Sequence, residues 1–424
     1  MKTYPERRVV MILALAIPIL FLAKCRDKED AKVLSTPVSE LLANQELQDL
    51  GERLFFDSAL SEPEGQSCAA CHGAGTGWTG PDEKVNQMGG IYEGALKGRF
   101  GNRKPNSAAY AAFAPLFNSY VDDGNVLFAG GNFWDGRATG HLLGNPAADQ
   151  AQGPFLNPVE QNVAGAAALM DKIKKSSYAV QFNDVAKKIW KQDNILEGTN
   201  VNLQFGIVGI AIAAFERSEK VSPFTSKFDY YLKGEAELTK AEKTGLALFN
   251  GKARCSSCHT SSSENGLMPL FTDFRFDNLG IPANPDNPWY NADTAFNKAG
   301  KEWIDGGLAD YLKTQPQYAM YAEQNLGKHQ VPTLRNVDKR PSEGFVKAYG
   351  HNGYFRSLED VVHFYNTRDV SEPESGSMPP ARLWPEPEVK ENINKADLGN
   401  LGLTAEEEAA IVAFMRTLSD GYVN

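Results

Sequence analysis

One pentapeptide occurs twice, and the rest of the chain has to fold around its two copies: Cys68-Ala-Ala-Cys71-His72 and Cys255-Ser-Ser-Cys258-His259. C-x-x-C-H is the attachment signal of a c-type haem. Both thiols form thioethers to the porphyrin vinyls, and the adjoining histidine ligates the iron. Spaced cysteines also suit half a zinc site, but zinc needs the two halves to converge and gives no reason for a histidine to follow each pair. A redox CxxC belongs in a βαβ context, which neither copy has. Two covalent haems are the expectation.

Each motif is delivered by the same kind of segment. Gln45 to Phe56 places Leu47, Leu50, Leu54 and Phe55 on one helical face, and Gly51-Glu-Arg-Leu54-Phe55 leads into the first motif. Before the second motif, Thr239-Lys-Ala-Glu242 is a capping box followed by Gly245-Leu-Ala-Leu248-Phe249. A further capping box, Thr404-Ala-Glu-Glu407, starts the last helix, where Ile411, Phe414, Met415 and Leu418 form an apolar stripe. Residues 73–107, 120–162 and 261–300 are rich in Gly, Pro and Asn, and loops that long line a site or wrap a cofactor. Strand alternation is scarce. The expected fold is mainly α, with two cytochrome-c-like haem domains and long irregular loops: an N-terminal domain over 45–232 and a C-terminal one over 233–424.

A chain of 424 residues can bury two cores. Its net charge of −10, with no basic cluster, excludes a nucleic-acid footprint and would steer a positively charged electron donor. Four of the five cysteines lie in the motifs, so no disulfide is expected. Residues 1–24 read as an export signal: Lys2, Arg7 and Arg8 precede an apolar run, Val9 to Ala23, of about fifteen residues, too short for a comfortable membrane span. Cys25 follows Leu22-Ala23-Lys24, which resembles a lipoprotein cleavage box apart from Lys24. A lipid anchor at Cys25, simple cleavage and a retained anchor all stay open. Residues 25–44 read as a tether, and the expected location is the periplasm or the outer cell surface.

Further residues recur in a telling order: Phe133-Trp134-Asp135-Gly136-Arg137, Gln150-Ala-Gln152-Gly153-Pro154 and Asn157-Pro158-Val159-Glu160 after the first motif, then Leu334-Arg335-Asn336-Val337 and His351-Asn352-Gly353 after the second. Together they resemble the bacterial dihaem cytochrome c peroxidases and their MauG-like relatives, over nearly all of the chain beyond residue 45. The resemblance implies that His72 is the proximal ligand of an N-terminal, peroxide-reacting haem and His259 that of the C-terminal haem. Glu160 matches the distal acid–base glutamate, Gln150 the glutamine that hydrogen-bonds the bound ligand, and Trp134 the relay between the haems. The chemistry suits them. Cleaving a bound peroxide needs a proton moved from its inner to its outer oxygen, and a carboxylate in an apolar pocket has its pKa raised towards that task. On spacing alone, Glu160 reads as a solvated carboxylate, Gln150 as a surface amide and Trp134 as core; the joint match assigns them.

Two positions depart from the peroxidase pattern. Peroxidases of the family often carry a histidine, before the FWDGR segment, that caps the resting first haem. No histidine occurs between His72 and His141, and Gly98 to Arg103 offers none. A five-coordinate or water-ligated first haem is expected, with His141 as the alternative ligand. Where those peroxidases place a methionine, the segment Ser357 to Asn366 puts Tyr365, as MauG-like enzymes do; a phenolate stabilises high-valent iron. His363, Met378 and a plain half-buried aromatic are the competing readings. Arg335 is a candidate partner of a haem propionate, because guanidinium matches carboxylate bidentately. The family also binds calcium between its domains, and Asn106 is the candidate ligand, although Lys104-Pro105-Asn106-Ser107 aligns imperfectly. His351 reads as a turn residue near the haem edge or domain interface and His329 as a loop residue. The partners implied are hydrogen peroxide with an electron-donor cytochrome or cupredoxin, or a partner protein whose tryptophan or tyrosine is oxidised. A dihaem electron carrier is the non-catalytic alternative.

Overall fold

The first element of the computed structural model, which describes residues 37–263, 266–372 and 381–423, is already a packed helix, α1 (Val38–Leu42). Leu41 and Leu42 are buried. The tether expected over 25–44 therefore gives way by Val38, because two adjacent leucines reach a core that can bury them. The remainder of that tether, the signal over 1–24, Cys25 and Met378 lie outside the described residues.

Helix α2 (Gln45–Phe56) runs as its apolar spacing requires, with the Asn44 side chain accepting from the Leu47 amide and Leu47, Leu50, Leu54 and Phe55 buried. It is followed by α3 (Glu83–Gln87), α4 (Pro146–Leu156), α5 (Ala166–Lys175), α6 (Ala179–Trp190) and α7 (Val201–Arg217). α4 falls inside a segment expected to be loop. Its start is local chemistry: the Asn145 side chain accepts from the Ala147 and Ala148 amides, and Pro146 occupies the first turn, where no amide donor is needed. The same segment holds a hairpin, β1 (Asn118–Asp122) with β2 (Asn125–Ala129). α7 is apolar on every side from Ile207 to Phe215 and is the hub against which α1, α2, α4 and α5 pack.

The second half carries α8 (Lys227–Leu232), α9 (Lys240–Asn250), α10 (Leu308–Lys313), α11 (Leu358–Thr367) and α12 (Ala405–Arg416). Both capping boxes read from the sequence form reciprocally, Thr239 with Glu242 and Thr404 with Glu407. The other strands are two-residue ladders, β3 (Phe276–Asp277) with β4 (His329–Gln330) and β5 (Ser371–Glu372) with β6 (Ala381–Arg382). The molecule is predominantly helical, and no helix among the described residues is long and apolar enough to cross a membrane.

One helix crossing is built twice. A Cβ added at Gly51 of α2 would lie 1.9 Å from the Ala211 carbonyl oxygen of α7 and 2.9 Å from the Phe215 Cβ. A Cβ added at Gly245 of α9 would lie 1.9 Å from the Ala410 carbonyl oxygen of α12 and 2.8 Å from the Phe414 Cβ. Ring centroids of Phe55 and Phe215 are 5.3 Å apart, and those of Phe249 and Phe414 5.2 Å. The Ser218 and Thr417 hydroxyls each donate to the carbonyl three residues back, at 2.6 Å. The two helices that deliver the motifs are thus seated in matching notches.

Candidate active site

Each motif opens with a single tight turn, Cys68–Ala70 and Cys255–Ser257, closed by the His72 amide on the Cys68 carbonyl (3.0 Å) and the His259 amide on the Cys255 carbonyl (2.9 Å). His72 Nδ1 lies 3.2 Å from the Trp78 carbonyl oxygen, and His259 Nδ1 lies 2.8 Å from that of Phe271. A carbonyl only accepts, so Nδ1 carries the proton and Nε2 keeps its lone pair, which is the form a ligating imidazole takes. Both carbonyls belong to residues with left-handed backbones, Trp78 (φ 60°) and Phe271 (φ 53°), whose rings wedge against the helix crossings. Burial pushes the His72 pKa down to about 4 and lowers that of His259. It also lifts all four motif thiols to about 12. These residues fit two covalently held haems: neutral imidazoles, neutral sulfurs and apolar walls.

The two motifs face one continuous cavity. On the first side stand Gln150, half-buried on α4, and Glu160 in the turn that follows it. The Asn157 amide donates to Glu160 Oε1 at 2.6 Å, and the Ala95 amide donates to the Glu160 carbonyl at 2.7 Å. Burial raises the Glu160 pKa, with Asn157 and Arg137 opposing; Glu160 in turn helps raise the Cys71 thiol, a sign of how near the motif it stands. Trp134 is buried in the cavity wall, its indole N–H donating to the Lys104 carbonyl at 2.8 Å and its ring edge-on to His351 at 6.4 Å.

On the second side α11 presents Tyr365, whose phenol is held well above its ordinary pKa by burial and then by Cys258 and Cys255. His363 instead faces Glu408, Nδ1 to Oε1 3.1 Å. His141 is exposed, with Nε2 2.8 Å from the Phe117 carbonyl oxygen. Asn106 lines the cavity beside the first motif. Arg335 does meet a carboxylate bidentately, but that carboxylate is Asp229 (2.7 and 3.0 Å), and Nε donates to the Pro269 carbonyl. The fork expected to meet a propionate meets the protein's own acid, while Arg335 still lines the cavity.

Sequence reasoning missed a buried cluster joining distant segments. Arg103 donates to both Asp135 and Asp305 at 2.6 to 2.7 Å, and holds Asp305 well below the usual carboxylate range against the opposing effect of burial. His329, in β4 rather than a loop, stacks on His351 with centroids 3.6 Å apart and lies 3.2 Å from Asp305. Stacked rings keep their in-plane lone pairs parallel, which poorly suits sharing one metal ion. Only the Asp135-Gly136-Arg137 motif hinted at a charge cluster; its partners are too far along the chain to be foreseen.

Two histidines tethered at Nδ1, four half-buried motif cysteines and a shared cavity that also holds Glu160 and Gln150 define a dihaem c-type oxidoreductase. Residues 45–237 match the family described as di-haem cytochrome c peroxidase. The chain is 32% identical over 384 residues to methylamine utilization protein MauG of Paracoccus denitrificans, covering 89% of each chain. It is 26% identical over 433 residues to cytochrome-c peroxidase IdrP2 of Denitromonas iodatirespirans, covering 100% of this chain and 95% of the relative. The crystal structure of the diheme peroxidase BthA from Burkholderia thailandensis matches with a TM-score of 0.70 and 30% identity, over 89% of this chain and 86% of that one. The chain belongs to the di-haem cytochrome c peroxidase and MauG family, and it is an oxidoreductase.

Proposed function

We propose that the protein reacts with hydrogen peroxide at a haem carried by Cys68, Cys71 and His72, and shares the oxidising equivalents with a second haem at Cys255, Cys258 and His259. Residues 45–232 and 233–424 are then the two haem domains, exported to the periplasm or the outer cell surface. The observation that carries this reading is Glu160, a half-buried carboxyl of raised pKa, oriented by Asn157 and lining the cavity of the first motif beside Gln150.

The haem supplies the redox centre at which the O–O bond breaks. Glu160 takes the proton of the inner peroxide oxygen and returns it to the outer one, so that water leaves; a raised pKa brings the acid and base forms closer to balance. Asn157 occupies Oε1 and leaves Oε2 for that transfer. Gln150 holds the bound oxygen through its amide. Trp134, fixed by its bond to Lys104, serves as the electron relay. A calcium ion held in part by Asn106 belongs to the same reading. The test is Glu160→Gln: haem content should be unchanged while peroxide consumption slows roughly a hundredfold or more. Unchanged kinetics would remove Glu160 from the mechanism.

A second reading, oxidation of tryptophan or tyrosine in a partner protein, is favoured by Tyr365. Its phenolate oxygen would ligate the second iron, with the bound cation displacing the proton that burial otherwise retains. An anionic oxygen donor disfavours ferrous iron, so that haem would be a poor entry port for a cytochrome or cupredoxin and a good store of oxidising power. One equivalent of peroxide added to the fully oxidised protein separates the readings. A long-lived oxidised state supports the partner-protein substrate, whereas a need for prior one-electron reduction supports the ordinary peroxidase. Inertness in both states would leave an electron carrier.

A further inference from the structure

The duplicated helix crossing supplies its own control. With Ala211 matched to Ala410 and Phe215 to Phe414, the next cavity-facing positions are Ile212 with Ile411 and Glu216 with Met415, and all four line the cavity. At the second motif the position is filled by the thioether of Met415, 5% exposed; at the first it is filled by the carboxyl of Glu216, 4% exposed. The fold needs only an apolar filling there. Glu216 Oε2 nevertheless has no hydrogen-bond partner. A buried polar atom without a partner destabilises the folded state, and local rules broken in this way gather at functional positions.

The surroundings narrow what the carboxyl can answer to. Burial alone pushes its pKa up to about 8, so around neutral pH it is an uncharged acid. Glu216 helps to raise the Cys68 thiol, which haem attachment converts to a thioether. Cys71, His72, Glu160 and Lys104 face the same cavity. On its own helix Arg217 lies over the Phe113 ring, and beyond the helix Lys220 pairs with Glu52.

We propose that Glu216 is a proton-storing acid coupled to the first haem, holding its proton until that haem loses an electron and releasing it then. The electron passes to a soluble one-electron oxidant such as ferricyanide, the carboxylic O–H bond breaks with its proton leaving to solvent, and the carboxylate left behind offsets the positive charge gained nearby. Glu216 acts through the haem and is a positioning residue, not a catalytic one. The inference rests on haem attachment at Cys68 and Cys71 and is independent of the peroxide reading.

A redox titration of the purified dihaem protein, each haem followed by its own electron-paramagnetic-resonance signal, tests it. Wild type, Glu216→Gln and Glu216→Met are compared from about pH 4 to about pH 9, a range spanning ordinary and raised carboxyl pKa values. The first haem's midpoint potential should fall with rising pH up to about 8 in the wild type, and this dependence should be lost in both variants. The second haem, whose matching position is already methionine, should behave alike in all three proteins. Glu216→Met copies that side chain, and Glu216→Gln keeps size and polarity should the methionine variant load haem poorly. A slope retained in Glu216→Gln, or a change shared equally by both haems, would overturn the proposal.

Discussion

Replacing Gly51 by alanine adds one methyl group where two helices touch through their backbones. The new Cβ would lie 1.9 Å from the Ala211 carbonyl oxygen and 2.5 Å from the carbonyl carbon. A relaxed carbon–oxygen contact is about 3.3 Å, so α2 and α7 must part by more than about 1 Å. In an isolated helix the same change is favourable by about 1 kcal/mol, which makes any net loss a measure of the crossing. Overpacking of this kind costs about 1–3 kcal/mol, and parting the helices also weakens the contact between Phe55 and Phe215. A net loss of about 2 kcal/mol is expected, which lowers Tm by about 2–3 °C for one compact unit running from Thr36 to the C-terminus. Thermal unfolding of the haem-loaded protein, followed by far-ultraviolet circular dichroism, reads it. Haem yield at the first motif should fall too, because α2 leads into it. Gly245→Ala should act alike through Ala410. Gly153→Ala on α4 is the control: its Cβ meets nothing nearer than the Phe133 ring at 3.5 Å, so stability should hold or rise slightly. A Tm for Gly51→Ala equal to or above that of the wild type would refute the close crossing.

Glu160 must be ionised to accept a proton, and burial raises its pKa; peroxide consumption should therefore fall on an acid limb above the ordinary carboxylate range as pH drops. Stopped-flow rates across pH would show that limb in the wild type and lose it in Glu160→Gln. Tyr365→Phe should alter the resting spectrum of one haem and spare the other; an unaltered spectrum eliminates the phenolate ligand. Asp229→Asn leaves the Arg335 guanidinium, 2% exposed, without its counter-charge, and should cost about 3–5 kcal/mol in urea unfolding. A loss under about 1 kcal/mol would mean that the pair is not buried as described.

Local chemistry was readable in advance, and distant pairing was not. The motifs, the stripe of α2 and both capping boxes depend on residues within one or two turns of each other, and all form as their spacing requires. The start of α4 was equally local, in Asn145-Pro146, but it was hidden by the glycines and prolines around it. Arg103 with Asp305, His329 with His351 and Arg335 with Asp229 are set by tertiary topology, which no local pattern encodes. The same limit explains Arg335: its residue type pointed correctly to a carboxylate, but not to which one. Gly51 and Gly245 announced themselves as a repeat, yet only the crossing shows why neither tolerates a side chain.

The carbonyl tethers beneath His72 and His259 have a consequence for how the two centres come to differ. A neutral carbonyl draws less imidazolate character from a histidine than a carboxylate would, and here both histidines have the same kind of acceptor, offered by an aromatic residue pinned in the same backbone conformation. The two histidines thus share one kind of tether, shorter at His259 (2.8 Å) than at His72 (3.2 Å). Divergence between them is left to the other faces of the cavity, where Glu160, Gln150 and Glu216 stand on the first side and Tyr365 and Met415 on the second. Exchanging residues on those faces should convert one centre's behaviour towards the other's while leaving the shared footing undisturbed.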